Sequence, residues 1–317
     1  MRDDECLVFA VLAYLNGEFL PADQARISPF DRGFLFADGV YEAVRTGPSL
    51  TTKPSPRFIG MNRHVRRLRR SLGELRIDWD AAGLADVCAE LVRRSDVDPE
   101  NALIYFQVTR GTPDLRSQPA RSHLPPTGLR PTVFAFVRPT PGPARDSADP
   151  RPLTKKCVTL TDERWRRCDI KSVALLGNVL ASLAAAERGG EEAVLFRQTP
   201  AGRVLSEGAL TNVLIVTDKG ELATPALESD AGRAVLPGIT REILIDAGAG
   251  IVERPVSDAE VASAREVMLL GTTSSVTAVT HLDGRAVGGG VPGPEAQRLA
   301  ALLARLILEG REDVSAP

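Results

Sequence analysis

The stretch RWRRCDIKSVALLGNVLASLAAAERG, Arg164–Gly189, places one lysine, Lys171, directly before a long apolar, Ala-rich run whose composition predicts a buried helix. An ammonium loses solvation free energy as it nears a protein interior. Its head therefore either reaches water along its aliphatic stem or serves inside as an amine. The first is the ordinary reading of a lone lysine at a helix rim. The second makes Lys171 a chemical group. It then needs a carbonyl partner, a way to lose its proton, and a second group to manage the electrons released into the adduct.

The gross composition narrows the setting. A chain of 317 residues can bury a sizeable core, and its length favours two domains. With 43% hydrophobic and 25% charged residues it reads as a soluble globular protein, and a formal net charge of -2 provides no field to gather nucleic acid or an anionic membrane. The opening MRDDECLVFAVLAYLNGEF is acidic where a signal peptide is cationic, and its apolar part is too short to span a bilayer, so the expectation is a cytoplasmic protein. Cys6, Cys88, Cys157 and Cys168 are widely spaced and predict reduced thiols rather than a disulfide framework. His64, His123 and His281 form no close metal-ligand motif, and no metal is expected.

The order of patterns predicts two mixed halves. VLAYLNGEFLP reads as strand, turn at Asn16-Gly17, and strand, and FADGVYEAVRT as a further strand. Met61, Val65, Leu68 and Leu72 recur at helical spacing, AAGLADVCAELVRRSD predicts a second helix, and ALIYFQVTRG and RPTVFAFVRP predict strands. RPTPGPARDSADPRPLTK, rich in Pro, Gly and charge without amphipathic period, predicts an exposed connection. Beyond it EEAVLFRQ, LTNVLIVTDKGELAT and REVMLLGTTSSVTAVTHLDGRAV have strand character, while ITREILIDAGAG and PEAQRLAALLARLILEG predict helices. The expected division is an N-terminal α/β domain over 1–139, a linker over 140–152 and a C-terminal domain over 153–317.

Six segments, in order, resemble one family: DRGFLFADGVYEAVRT, YFQVTRGT, RWRRCDIKSVALLGNVLA, SEGALTNVLIV, LPGITRE and GTTSSVTAV. They are similar to the signatures of the fold-type IV pyridoxal-phosphate enzymes, and closest to the D-amino-acid aminotransferase branch, from about Tyr14 to Arg285. The resemblance implies a two-domain α/β fold with pyridoxal 5'-phosphate in the interdomain cleft, and a homodimer. It implies transamination between a D-amino acid and a 2-oxo acid such as pyruvate or 2-oxoglutarate. Branched-chain L-amino-acid or (R)-amine transamination, aminodeoxychorismate lyase activity, and a cofactor-binding protein without catalysis are the alternatives.

The resemblance gives Lys171 the Schiff base to the cofactor and the transfer of a proton between substrate Cα and cofactor C4′, a role open to a lysine of depressed pKa. Glu207, otherwise an ordinary turn carboxylate, is implied to pair with the pyridine nitrogen and keep the ring an electron sink. The H-x-x-R-L pattern at His64, Arg67 and Leu68 implies Arg67 on the phosphate. Ile239 and Thr240, after Gly238 at the start of a predicted helix, offer free N–H groups to an anion, and Thr272 and Thr273 offer a second donor-rich turn.

Tyr41 is either a sheet aromatic or a hydroxyl aimed at the substrate carboxylate. Arg121 and His123, on one side of an extended segment, are implied to complete a carboxylate trap with Tyr41. The loop GTPDLRSQPARSHLPP looks longer than its family counterpart, which makes Arg116 the competitor of Arg121, and Gly271 stands where the D-alanine enzymes carry Ser.

Overall fold

A computed structural model describes residues 11–312 apart from 53–54, 117–118, 120, 141–149, 201 and 231. Cys6 and most of the predicted linker lie outside the described residues. The first half supplies β1 (Leu12–Leu15), β2 (Glu18–Pro21), α1 (Arg32–Phe36), β3 (Gly39–Gly47), β4 (Arg57–Phe58), α2 (Met61–Leu75), α3 (Gly83–Arg94), β5 (Ala102–Thr109) and β6 (Thr132–Pro139). Among the described residues its six strands form one antiparallel sheet in the order β2-β1-β6-β5-β3-β4. Asn16 and Gly17 both take positive φ, 50° and 107°, as a tight two-residue hairpin between right-twisted strands requires. Leu84, Cys88 and Leu91 of α3 and Leu68 and Leu72 of α2 pack on Val44, Ile104 and Phe106 to make the first core.

The second half follows as β7 (Leu153–Thr161), α4 (Leu176–Glu187), β8 (Glu192–Thr199), β9 (Gly202–Gly208), β10 (Asn212–Val216), β11 (Leu222–Thr224), α5 (Ile239–Asp246), β12 (Ile251–Glu253), α6 (Asp258–Ala262), β13 (Glu266–Gly271), β14 (Ser275–Leu282), β15 (Arg285–Ala286) and α7 (Pro294–Leu308). Its mixed sheet runs β12-β11-β10-β13-β14-β7-β8-β9, with β15 beside β14. The β14–β7 and β7–β8 pairs are parallel, and α4 provides the crossover between β7 and β8. Helices α5 and α7 cover one face, burying Ile243, Leu244, Leu299 and Leu303 against Leu214, Met268 and Leu270. The molecule is thus a two-domain α/β protein.

Two expectations change. The apolar run after Lys171 is a helix, but it is not buried: in α4 only Ala185 is fully enclosed, and Leu176, Val179, Leu180 and Leu183 are exposed. Nor does Lys171 head that helix. It lies in an extended segment five residues earlier, because Ser172 bridges antiparallel to Val40 of β3. The Arg-rich helix α2 is buried along one side. Arg63, His64 and Arg67 are buried there because this side of the helix turns towards the second half of the chain, where Arg63 meets Asp246 at 2.6 Å.

Among the described residues no helix is long and apolar enough to cross a membrane, and no group of His, Cys, Asp or Glu is arranged to hold a metal ion. Cys88, Cys157 and Cys168 are buried free thiols.

Candidate active site

A cavity of about 410 Å³ opens where the two halves meet, within the usual range for a small-molecule site. Tyr41 and Arg67 reach it from the first half, and Lys171, Glu207, Ile239 and Thr272 from the second. Hydrogen bonds from Tyr41 N to Lys171 O, 3.0 Å, and from Val173 N to Gly39 O, 3.1 Å, lay the lysine segment along β3. The Lys171 ammonium consequently sits 4.2 Å from the centre of the Tyr41 ring. That ring stacks on Tyr105, which stacks on Phe136, so an aromatic row along the sheet supports the lysine from below.

One end of the cavity gathers groups able to receive an anion. Arg67 donates through Nε and Nη2 to the two oxygens of Glu42, at 2.8 and 2.7 Å, and through Nη1 to Pro237 O at 2.9 Å. Those bonds use three of its five N–H groups and lock the guanidinium. Glu42 is fully buried and also takes His64 Nδ1 at 2.6 Å. Burial disfavours the charged carboxylate, but Arg67 and His64 outweigh it and hold Glu42 well below the ordinary range. Burial in turn lowers His64 and favours the neutral ring, against the pull of Glu42 towards the charged one. Beside Arg67 begins α5, whose N-cap Gly238 makes no side-chain cap bond. The first intrahelical bond is from Glu242 N to Gly238 O, so the N–H groups of Ile239 and Thr240 precede it and are left for other acceptors.

Glu207 stands elsewhere in the cavity. A bulge places it there: β8 and β9 pair Phe196 with Leu205 and Val194 with Gly208, so Ser206 and Glu207 together oppose Leu195. Strict alternation would send the two side chains to opposite faces, yet both join one buried polar cluster. Arg164 donates to Glu207 Oε1, while Asn212 Nδ2 and Leu236 N donate to Oε2 at 3.0 and 2.9 Å. Burial pushes the Glu207 carboxyl up, against the pull of Arg164 and the Leu236 N–H. Asn212 reaches Glu207 through space that only a glycine leaves, since a Cβ at Gly238 would lie 1.8 Å from Asn212 Oδ1.

Thr272 lines the cavity, whereas Thr273 is exposed and Thr240 is buried within α5. Arg121 and His123 do not line it. Their loop rests on α1: Arg32 donates to Ser122 O and His123 O at 2.7 and 3.2 Å, and the Phe36 ring meets His123 edge-on at 5.6 Å with the Arg121 guanidinium 5.8 Å from its centre. Arg116 is 91% exposed and pairs with Asp114 in its own loop. Glu42, Arg164 and Asn212 join the site without any sequence pattern that singles them out. Arg164 opens the stretch that raised the question of Lys171, but a cluster of arginines on a polar turn carries no sign of which one points inward.

The donor set fits pyridoxal phosphate: an amine for an aldehyde, a fixed guanidinium with helix N–H groups for a phosphate, and a buried carboxylate for a ring nitrogen. Residues 39–282 match the model of the amino-transferase class IV family, and the chain belongs to that family. It is a pyridoxal-phosphate-dependent aminotransferase. It is 31% identical over 90% of its length to a D-alanine aminotransferase of Staphylococcus haemolyticus, covering 94% of that protein. It is 32% identical over 88% of its length to that of Listeria monocytogenes strain 10403S, covering 90% of it. The fold is shared with the branched-chain amino acid aminotransferase of Escherichia coli, at a TM-score of 0.80 and 23% identity over 96% of this chain and 97% of that one. The branched-chain aminotransferase of Thermoproteus uzoniensis gives 0.77 at 24% identity, over 95% and 96%.

Gly238→Ala has an ordinary backbone φ of -74° and should fold, but its methyl displaces Asn212 from Glu207. Pyridoxal-phosphate affinity, read by cofactor titration, is expected to fall about tenfold, ~1.4 kcal/mol. Unchanged affinity would mean that Asn212 moves aside without cost. Glu42 has a folded-state pKa below its unfolded value of 4.5, so its stabilisation is present above that pH and lost as pH falls below it. Denaturation midpoints of wild type and Glu42→Gln should therefore differ most near neutrality and converge in acid; a constant difference would remove Glu42 as the source.

Proposed function

We propose that this chain transfers an amino group from a D-amino acid to a 2-oxo acid, acting as a homodimer. The observation that carries the chemistry is one cavity holding Lys171, Glu207, Arg67 and the start of α5. Pyridoxal phosphate, when bound, supplies a carbonyl for the donor amine and an electron sink for its Cα–H bond. Lys171 is the covalent anchor and, once released, the base that takes the Cα proton. Glu207 holds a proton on the ring nitrogen. Arg67, the N–H groups of Ile239 and Thr240, and the Thr272-Thr273 turn take the phosphate. Similarity to D-alanine aminotransferases over most of the chain supports a D-amino acid as donor.

Exposed apolar side chains support the homodimer. Leu176, Val179, Leu180, Leu183 and Leu210 lie on and beside α4, next to the cavity mouth, and Phe34 and Leu124 project near the Arg121 loop. Neighbouring apolar surface of this kind marks an interaction site. On this reading Arg121 and His123, which lie outside the cavity of their own chain, act with Tyr41 on the donor carboxylate across the dimer. The division at 140–152 separates the domains between which the cavity lies.

Lys171→Ala should retain some cofactor non-covalently, while borohydride reduction of the wild type should fix a pyridoxyl group to Lys171 by peptide mass mapping. A reduced adduct on Lys155 or Lys156 would overturn the assignment. Holoprotein mixed separately with D-alanine, L-leucine, (R)-phenylethylamine and aminodeoxychorismate should convert D-alanine to pyruvate fastest; faster turnover of another donor would replace the substrate class. Arg121→Ala should lose D-alanine activity at least about tenfold more than activity with an amine lacking a carboxylate, since only the former loses a charge-assisted pair. Equal losses would indicate a damaged loop, and a selective loss in Arg116→Ala alone would move the role to Arg116.

A further inference from the structure

Asp162 follows β7 and does not line the cavity, yet it is the most heavily bonded carboxylate near it. Its side chain is fully shielded. Arg164 Nε and Nη2 donate to Oδ1 and Oδ2, both at 2.8 Å, and Arg164 N donates to Oδ1 at 3.1 Å. Arg197 Nε and Ser206 Oγ add further bonds to Oδ2, each at 2.8 Å. A buried ion pair of this kind is weak support for stability, because desolvation consumes most of its attraction. Its geometry instead points at Glu207. Asp162 grips Arg164 along the Nε–Nη2 edge, which leaves Nη1 for Glu207 Oε1.

We propose that Asp162 is a positioning residue that sets, through Arg164, how strongly Glu207 holds a proton on the ring nitrogen of the cofactor; this rests on the assignment of Glu207 to that nitrogen. Asn212 and Leu236 both donate to Oε2 of Glu207, so Oε1, which Arg164 also holds, is the oxygen that would be left to a ring N–H. How much of the Arg164 charge falls on Glu207 then depends on how much Asp162 absorbs. The cluster balances with two carboxylates, Asp162 and Glu207, against two guanidiniums, Arg164 and Arg197. Cys168, which Arg197 touches at 3.4 Å, is pushed up by burial to about 11 and adds no charge near neutrality. Of the other charged groups facing the cavity, Arg67 is balanced by Glu42, and Lys171 lies over Tyr41. Neutralising Asp162 leaves one excess positive charge and turns the whole of Arg164 towards Glu207. The ring nitrogen then loses its proton at lower pH. Neutralising Arg197 has the opposite effect, because Asp162 then draws more strongly on Arg164.

The test is a pH titration of holoenzyme carrying cofactor isotopically labelled at the ring nitrogen, followed by nitrogen NMR, with melting temperature measured alongside. Asp162→Asn should lower the ring-nitrogen midpoint by about one pH unit, and Arg197→Gln should raise it. A purely structural role would lower melting temperature in both without opposed shifts. Glu207→Gln is the control for the underlying assignment. If it lowers the midpoint while Asp162→Asn and Arg197→Gln leave it in place, the inference about Asp162 fails alone. If Glu207→Gln leaves it unmoved, the assignment of Glu207 fails and the inference falls with it. Should Asp162→Asn not accumulate as folded protein, the Arg197→Gln midpoint decides: a rise supports the inference and an unchanged value overturns it.

Discussion

The site depends on one short piece of strand-like pairing between segments far apart in the chain. β4 pairs with β3 only at Thr46 and Gly47, so the other end of that β3 edge, near Gly39–Tyr41, would otherwise present unpaired backbone groups. The segment at 171–173 occupies it, exchanging bonds through Tyr41 N, Lys171 O, Val173 N and Gly39 O. An unsatisfied backbone donor or acceptor in a buried position is expensive, so this pairing leaves little freedom in where Lys171 begins. Its side chain is then delivered over Tyr41, and the second half of the protein is anchored to the first at the place where the cavity forms.

Two buried carboxylates organise the rest of that cavity, and each is satisfied in a different way. Glu42 sits behind Arg67 and closes both guanidinium bonds on itself, which turns a long flexible side chain into a rigid one. Glu207 shares its arginine with Asp162 and receives a backbone and an amide N–H in addition. Buried charges of this type persist only when paired and hydrogen-bonded. Arg67 and Arg164 are both charged residues brought inside by carboxylates that come from elsewhere in the sequence.

Much of the architecture was legible beforehand. Period-two and period-3.6 patterns marked the strands and helices, and the turn residues marked Asn16-Gly17, because those signals arise from local backbone geometry and one-sided burial. The α4 segment misled for the same reason. Its apolar composition suggests an interior, but composition reports what a surface needs to meet, and in a single chain the Leu176, Leu180 and Leu183 face is open. Glu42 was hidden between Tyr41 and Ala43 of β3, and Arg164 among the other charged residues of its own turn, such as Glu163, Arg166 and Arg167.

By itself the sequence determined the order of elements, the family, and therefore the pyridoxal-phosphate chemistry, since these are carried by short segments whose spacing survives without knowledge of their partners. The tertiary structure decided which charges face inward. The bulge that brings Ser206 and Glu207 to one side of β9, the grip of Asp162 on Arg164, and the absence of a Cβ at Gly238 that admits Asn212 are all relations between distant residues. Such relations are set by packing and by the cost of leaving a buried polar group unpaired, and neither quantity is a property of any one stretch of chain.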